Sequence, residues 1–177
     1  MDNIQNLRPI HFQRWIDDNR HLLKPPVGNK QVWQDGQFIV MVVGGPNERD
    51  DFHVNQTPEF FHQLEGNMTL RVRDAQSDTI RDIPIQEGEI FLLPAGIPHS
   101  PQREANTVGL VLEQQRPNGM KDGLQWYCRN CGHLLYEEYF PLQNVEQDFP
   151  PVFERYWNTP AHYTCQNCGH VNARRDG

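Results

Sequence analysis

Two short segments concentrate imidazole and carboxylate groups among turn-forming residues. The first runs from Gly45 through Asp51, Phe52, His53 and Glu59 to Gly66. The second runs from Gly88 through Pro94, Ala95, Gly96, Ile97, Pro98 and His99 to Arg103. Strand-like residues flank the turn-formers in both, so these side chains can be held at fixed points on a sheet. His53, Glu59 and His99 are then candidates for a two-histidine, one-carboxylate face on a divalent metal. Three protein ligands on one side of an octahedral Fe(II) leave the opposite side open to a bidentate ligand and dioxygen together. With the glutamate ionised, metal and ligands carry a net charge of about +1, which favours an anionic chelator such as an aminophenolate. His62, His133, His162 and His170 are read as non-ligands.

The cysteines pose a second chemical question. Cys128-Arg129-Asn130-Cys131-Gly132-His133 and Cys165-Gln166-Asn167-Cys168-Gly169-His170 are near copies, with 33 residues between Cys131 and Cys165. Each pair can place two thiolates on one ion through a tight knuckle, with the neighbouring glycine permitting the turn. The gap is longer than the roughly 15–20 residues of simple zinc ribbons, but a longer loop adds little closure entropy. Four sulfurs close a tetrahedral site with no open position, so Cys128, Cys131, Cys165 and Cys168 are expected to support structure, around iron or zinc.

These groups must be carried by a chain of 177 residues with 16 basic and 23 acidic side chains, a formal charge of −7 and 37% hydrophobic residues. That length suits one full domain with a small appendage. The negative surface repels phosphates and argues against nucleic acid as a partner. No stretch approaches the roughly 20 apolar residues of a membrane span, and Met1-Asp2-Asn3-Ile4-Gln5 lacks the order of a secretion signal. A cytoplasmic protein is expected, a setting in which paired Cys-x-x-Cys motifs point to metal or redox chemistry.

Apolar spacing predicts a short helix over Phe12–Leu23, stopped by Pro25-Pro26. Gln31–Val43 reads as β-rich around an Asp35-Gly36 hairpin turn, broken by Gly44-Gly45-Pro46-Asn47. Further strands are predicted over Glu59–Leu64, Met68–Arg73, Ile80–Ile85, Glu89–Leu93 and Thr107–Glu113. Closely spaced strands of this kind suggest a mainly β, antiparallel sandwich or barrel. A boundary is placed near residue 119, separating a main domain over 1–119 from a cysteine-bearing tail over 120–177 that needs a metal staple or docking to be stable.

The two histidine segments resemble the paired signature motifs of the cupin superfamily, which implies a double-stranded β-helix, or jelly-roll barrel. Asp51 stands where many cupins carry a first metal-binding histidine, which favours the three-ligand variant. A closer resemblance covers nearly the whole chain. Leu22-Leu23-Lys24-Pro25-Pro26-Val27-Gly28-Asn29, Val42-Val43-Gly44-Gly45-Pro46-Asn47, Phe91-Leu92-Leu93-Pro94, His99-Ser100-Pro101-Gln102-Arg103 and Gln115-Arg116-Pro117 are similar to blocks of the bacterial 3-hydroxyanthranilate 3,4-dioxygenases.

That resemblance implies Fe(II) on His53, Glu59 and His99, with 3-hydroxyanthranilate and O2 as substrates. It implies that Arg49 and Arg103 engage the aromatic acid and its carboxylate, that Glu113 contacts its polar substituents and assists proton traffic, and that Asn29 lines the pocket. A planar guanidinium suits the carboxylate role, because it grips through two parallel hydrogen bonds. The implied product is 2-amino-3-carboxymuconate semialdehyde, the precursor of quinolinate on the kynurenine route from tryptophan to NAD. A rubredoxin-like four-cysteine centre in the tail and a homodimer are also implied. The alternatives are a non-catalytic cupin module that binds a small aromatic acid, and a dioxygenase for another aminophenol or catechol.

Overall fold

The computed structural model describes residues 8–25, 28–33, 37–74, 76–77 and 79–174, apart from the side chain of residue 146. Pro26, Val27 and the Asp35-Gly36 turn lie outside the described residues.

The chain is mainly β. Eight strands pair in a nested series: β2 (Phe38–Gly44) with β9 (Val108–Gln114), β3 (Asp51–Val54) with β8 (His99–Arg103), β4 (Glu59–Glu65) with β7 (Ile90–Leu93), and β5 (Met68–Asp74) with β6 (Thr79–Ile85). All of these pairs are antiparallel. Such nesting is a long hairpin rolled on itself, which is the jelly roll expected from the motif resemblance. With β1 (Asn29–Gln31), β10 (Asp122–Tyr127) and β11 (Leu134–Phe140), the strands form sheets of order β1-β2-β9-β4-β7 and β11-β10-β3-β8-β5-β6.

Side-chain alternation drives the roll. Along β5 the residues Met68, Leu70 and Val72 turn inward and meet Phe61, Ile85, Leu93 and Val111 between the sheets, while Thr69 and Arg71 stay half-buried. Each fully buried aliphatic or aromatic side chain contributes on the order of 1.5–3 kcal/mol from apolar surface removed from water.

The helix α1 (Phe12–Asn19) begins where His11 accepts a hydrogen bond from the Arg14 backbone N–H. Its predicted last residues tighten into a 3-10 turn over Arg20–Leu22. Ile16 and Leu23 pack onto Val42 and Val108 of the first sheet.

The boundary expected near residue 119 falls in the connection between β9 and β10. Downstream of it, β10 lies antiparallel beside β3, with Leu124 opposite His53, and so extends the second sheet. The helix α2 (Val145–Trp157) folds back over this region and buries Phe149, Val152 and Tyr156 against Leu124, Trp126 and Leu142. The short helix α3 (Pro160–Tyr163) leads to the second cysteine pair.

Candidate metal centre and substrate cavity

β3 and β8 bring His53 and His99 directly opposite one another, and Glu59 opens β4 in the other sheet. All three are buried, and each offers a ligand atom within 4.8 Å of the other two.

Hydrogen bonding selects which nitrogen each imidazole presents. His99 Nδ1 donates to the Ile97 carbonyl at 2.9 Å, which leaves the Nε2 lone pair facing Glu59. Nε2 lies 3.0 Å from Glu59 Oε2, an ion pair when the ring carries a second proton, and with the neutral ring that buried oxygen has no hydrogen-bond donor. Two electron pairs at this distance repel unless a cation or an extra proton lies between them. Ligands at right angles on one ion, each about 2.1 Å from it, are separated by about 3.0 Å, so a divalent metal fits.

His53 Nε2 is 2.7 Å from Asp122 Oδ2, which leaves Nδ1 as its free lone pair. Burial pushes the His53 pKa down, outweighing the pull of Asp122, and keeps the ring neutral as a ligand requires. Burial also works against a charge on Glu59, but the two histidines prevail and hold its carboxyl at about 2. For His99 burial again lowers the pKa, and the Glu59 carboxylate more than offsets it.

Asp122 is wholly buried and clasped by Arg116, with Nε to Oδ1 at 3.0 Å and Nη2 to Oδ2 at 2.6 Å. The same Arg116 Nη2 lies 2.6 Å from Glu113 Oε2, which also accepts from Asn55 Nδ2 at 3.1 Å. A buried chain of charges thus runs from Glu113 through Arg116 and Asp122 to His53. Burial, aided by the neighbouring Glu59 charge, pushes the Glu113 carboxyl up to about 7 against the pull of Arg116.

The three candidate ligands line a cavity of about 110 Å³. The other residues singled out from the sequence, Asn29, Arg49, Arg103 and Glu113, line the same cavity. Arg49 is paired with Asp51, through Nε to Oδ1 at 3.1 Å and a second contact from Nη2 to Oδ2. Asp51 is therefore turned to a guanidinium. Arg103 is buried on β8, and its Nη1 donates to Gln63 Oε1 at 2.9 Å.

Several residues of this arrangement escape sequence reasoning. Asp122, Asn55 and Gln63 carry no motif, and Arg116 stands only within the Gln115-Arg116-Pro117 block. Phe149 of α2 also lines the cavity, its ring 5.4 Å from that of His53 and 5.7 Å from the Arg49 guanidinium. Its sole signal is its place in an apolar stretch of the tail.

The two cysteine knuckles share one geometry. Gly132 N–H donates to Cys128 O at 2.8 Å and Gly169 N–H to Cys165 O at 2.9 Å, with both glycines in the left-handed region at φ 72° and 73°. Sγ separations across the knuckles are 3.6 Å for Cys128–Cys168 and for Cys131–Cys165. A tetrahedral ion with metal–sulfur bonds of about 2.3 Å calls for edges of about 3.8 Å, so a four-thiolate metal fits here too. Asn130 donates across to Cys168, and Asn167 to Cys131. The Asn130 amide, with the His170 backbone, holds the Cys168 thiol down to about 6, whereas burial pushes Cys128 up to about 11. Asn172 ties the knuckles together, accepting from Arg129 N–H at 3.1 Å and donating to Tyr127 O at 2.9 Å.

The family description of 3-hydroxyanthranilic acid dioxygenase matches residues 4–157. A 3-hydroxyanthranilate 3,4-dioxygenase from Xanthomonas euvesicatoria pv. vesicatoria (strain 85-10) is 57% identical over 164 residues, covering 93% of this chain and 92% of the relative. Proteins of the same name from Paraburkholderia phytofirmans (strain DSM 17436 / LMG 22146 / PsJN) and Jannaschia sp. (strain CCS1) are 50% and 47% identical. They cover 93% and 96% of this chain, and 94% of each relative. The family match spans the jelly roll, the histidine–glutamate cluster and the first cysteine pair, and with 57% identity over 93% of the chain it places this chain in the 3-hydroxyanthranilic acid dioxygenase family.

Proposed function

We propose that this protein opens the aromatic ring of 3-hydroxyanthranilate with dioxygen, using Fe(II) held by His53, Glu59 and His99. The observation that carries this reading is the convergence of two imidazole lone pairs and one unsatisfied carboxylate oxygen on a cavity that two arginines also line. Bound there, ferrous iron supplies a centre at which an aminophenol and dioxygen can be brought together.

The chain's own groups then bind, orient and shield. Arg103, with Arg49 beside it, receives the substrate carboxylate and fixes the ring's direction in the cavity. Glu113, whose pKa is pushed up to about 7, holds or releases a proton at its carboxyl near neutral pH. Asn29 completes the polar lining. Phe149 and Val145 of α2 cover the cavity with apolar surface and limit water around the ring. The product of this reading is 2-amino-3-carboxymuconate semialdehyde, the quinolinate precursor.

The four-cysteine site takes iron or zinc and maintains structure, since four sulfurs leave no position for a substrate. Loading the protein anaerobically with ferrous iron, then adding 3-hydroxyanthranilate and air, tests the function. A dioxygenase consumes one dioxygen per substrate and forms the absorbing semialdehyde. A protein that binds the acid and leaves oxygen untouched contradicts the reading.

A further inference from the structure

Three arginines lie around the cavity, and two of them are neutralised within the protein. Arg49 pairs with Asp51, and Arg116 with Asp122 and Glu113. Arg103 differs. Among the described residues its side-chain partner is a neutral amide, Gln63, and no carboxylate forms an ion pair with it. Its Nε donor is buried without a hydrogen bond. A buried cation kept in place by a carbonyl dipole retains its charge for an anionic guest, whereas an acid in the same position would cancel it.

The amide itself has a defined orientation. Gln63 is 1% exposed, and its Nε2 donates to the Glu65 carbonyl at 2.9 Å, so its Oε1 is the end turned to Arg103. On the neighbouring strand β9 the Cα partner of Gln63 is Gly109. A Cβ at Gly109 would stand 2.5 Å from Arg103 Nη1, 3.0 Å from Nη2 and 2.9 Å from Gln63 Oε1. The bare backbone of Gly109 is therefore the space that the guanidinium occupies.

We propose that Gln63 and Gly109 are positioning residues that set the specificity for a carboxylate-bearing ring, by seating the Arg103 guanidinium with its charge uncancelled. This rests on the reading of Arg103 as the partner of the substrate carboxylate. Neither residue touches the metal ligands in that role, so their loss acts on one substituent of the substrate. A general loosening of the fold acts on the whole ring.

The test uses full-length, iron-loaded protein with Gln63→Met, Gln63→Glu and Gly109→Ala. Dissociation constants are measured without oxygen for 3-hydroxyanthranilate and for 2-aminophenol, which lacks only the carboxylate. Gln63→Met removes the acceptor, Gly109→Ala displaces the guanidinium, and Gln63→Glu cancels its charge in place. Each is expected to weaken 3-hydroxyanthranilate by about tenfold or more and 2-aminophenol by less than about twofold. Using one protein sample for both ligands cancels any difference in folded or loaded fraction. Equal weakening of both ligands, or of neither, overturns the proposal. Failure of the underlying reading is separately visible, because wild-type protein would then not prefer the carboxylated ring, and the proposal would fall with it.

Discussion

At the scale of the residue, the cavity works by deciding which buried charges are cancelled. Removing the uncancelled one, with Arg103→Ala, is expected to raise KM for 3-hydroxyanthranilate by about 10- to 100-fold, the range for a charge-assisted hydrogen bond, with iron retained. Unchanged steady-state kinetics would remove Arg103 from the carboxylate role. Asp122 is placed to act through the candidate ligand His53, by fixing its tautomer. Asp122→Asn is expected to weaken iron at the histidine–glutamate site by about 10- to 100-fold, read by chelator competition, while the four-cysteine metal stays bound. Glu113 makes a prediction about pH. Its folded pKa is raised from the ordinary 4.5 to about 7, so the folded state favours the protonated acid. The stability this gives is fully present below the ordinary carboxylate range and is lost as pH rises through 7. In metal-free protein, thermal melts should therefore fall across this window, and Glu113→Gln, which stays neutral, should flatten that fall. An unaltered profile would show that Glu113 does not titrate there.

At the scale of the element, the site is built where short strands meet. The alternation of Met68, Leu70 and Val72 makes β5 legible in the sequence, and β4, β6, β7 and β9 are similarly marked by apolar runs between turns. β3 and β8 are not. They are four and five residues long, and β3 is buried throughout, so neither displays an inside-outside alternation. The histidines they carry are legible by type and motif spacing, while the strands that place them face to face are not. β10 is hidden for another reason: its partner β3 lies nearly 70 positions earlier, as the Asp122–His53 pair separated by 69 residues illustrates. Non-local pairing of this kind leaves no trace in a short window. The helix α2 likewise reads as part of a cysteine tail, yet its Phe149 rests on His53 and Arg49. Phe149→Ala is expected to cost about 3–5 kcal/mol of stability, as for other buried phenylalanines, and to raise KM. A variant with unchanged denaturant midpoint and unchanged KM would separate α2 from the cavity.

At the scale of the whole molecule, one rolled sheet pair and one cysteine-bearing tail are joined through β10, which carries Asp122 to His53 and leads straight into Cys128. The formal charge of −7 and the strand-rich texture are legible from composition and turn residues. The docking of the tail depends on packing among Trp126, Phe149, Val152 and Tyr156 that only the folded chain reveals. Replacing Cys128 and Cys165 with serine is expected to lower the melting temperature and solubility more than turnover per bound active-site iron. Lost turnover with intact fold and loaded iron would contradict a structural role. The central claim is that His53, Glu59 and His99 grip one ferrous ion at the cavity. Anomalous diffraction at the iron edge from crystals grown anaerobically with Fe(II) tests it most directly. The account predicts a peak between His53 Nδ1, Glu59 Oε2 and His99 Nε2, and a map with density at the four cysteines but none among these three atoms would contradict it.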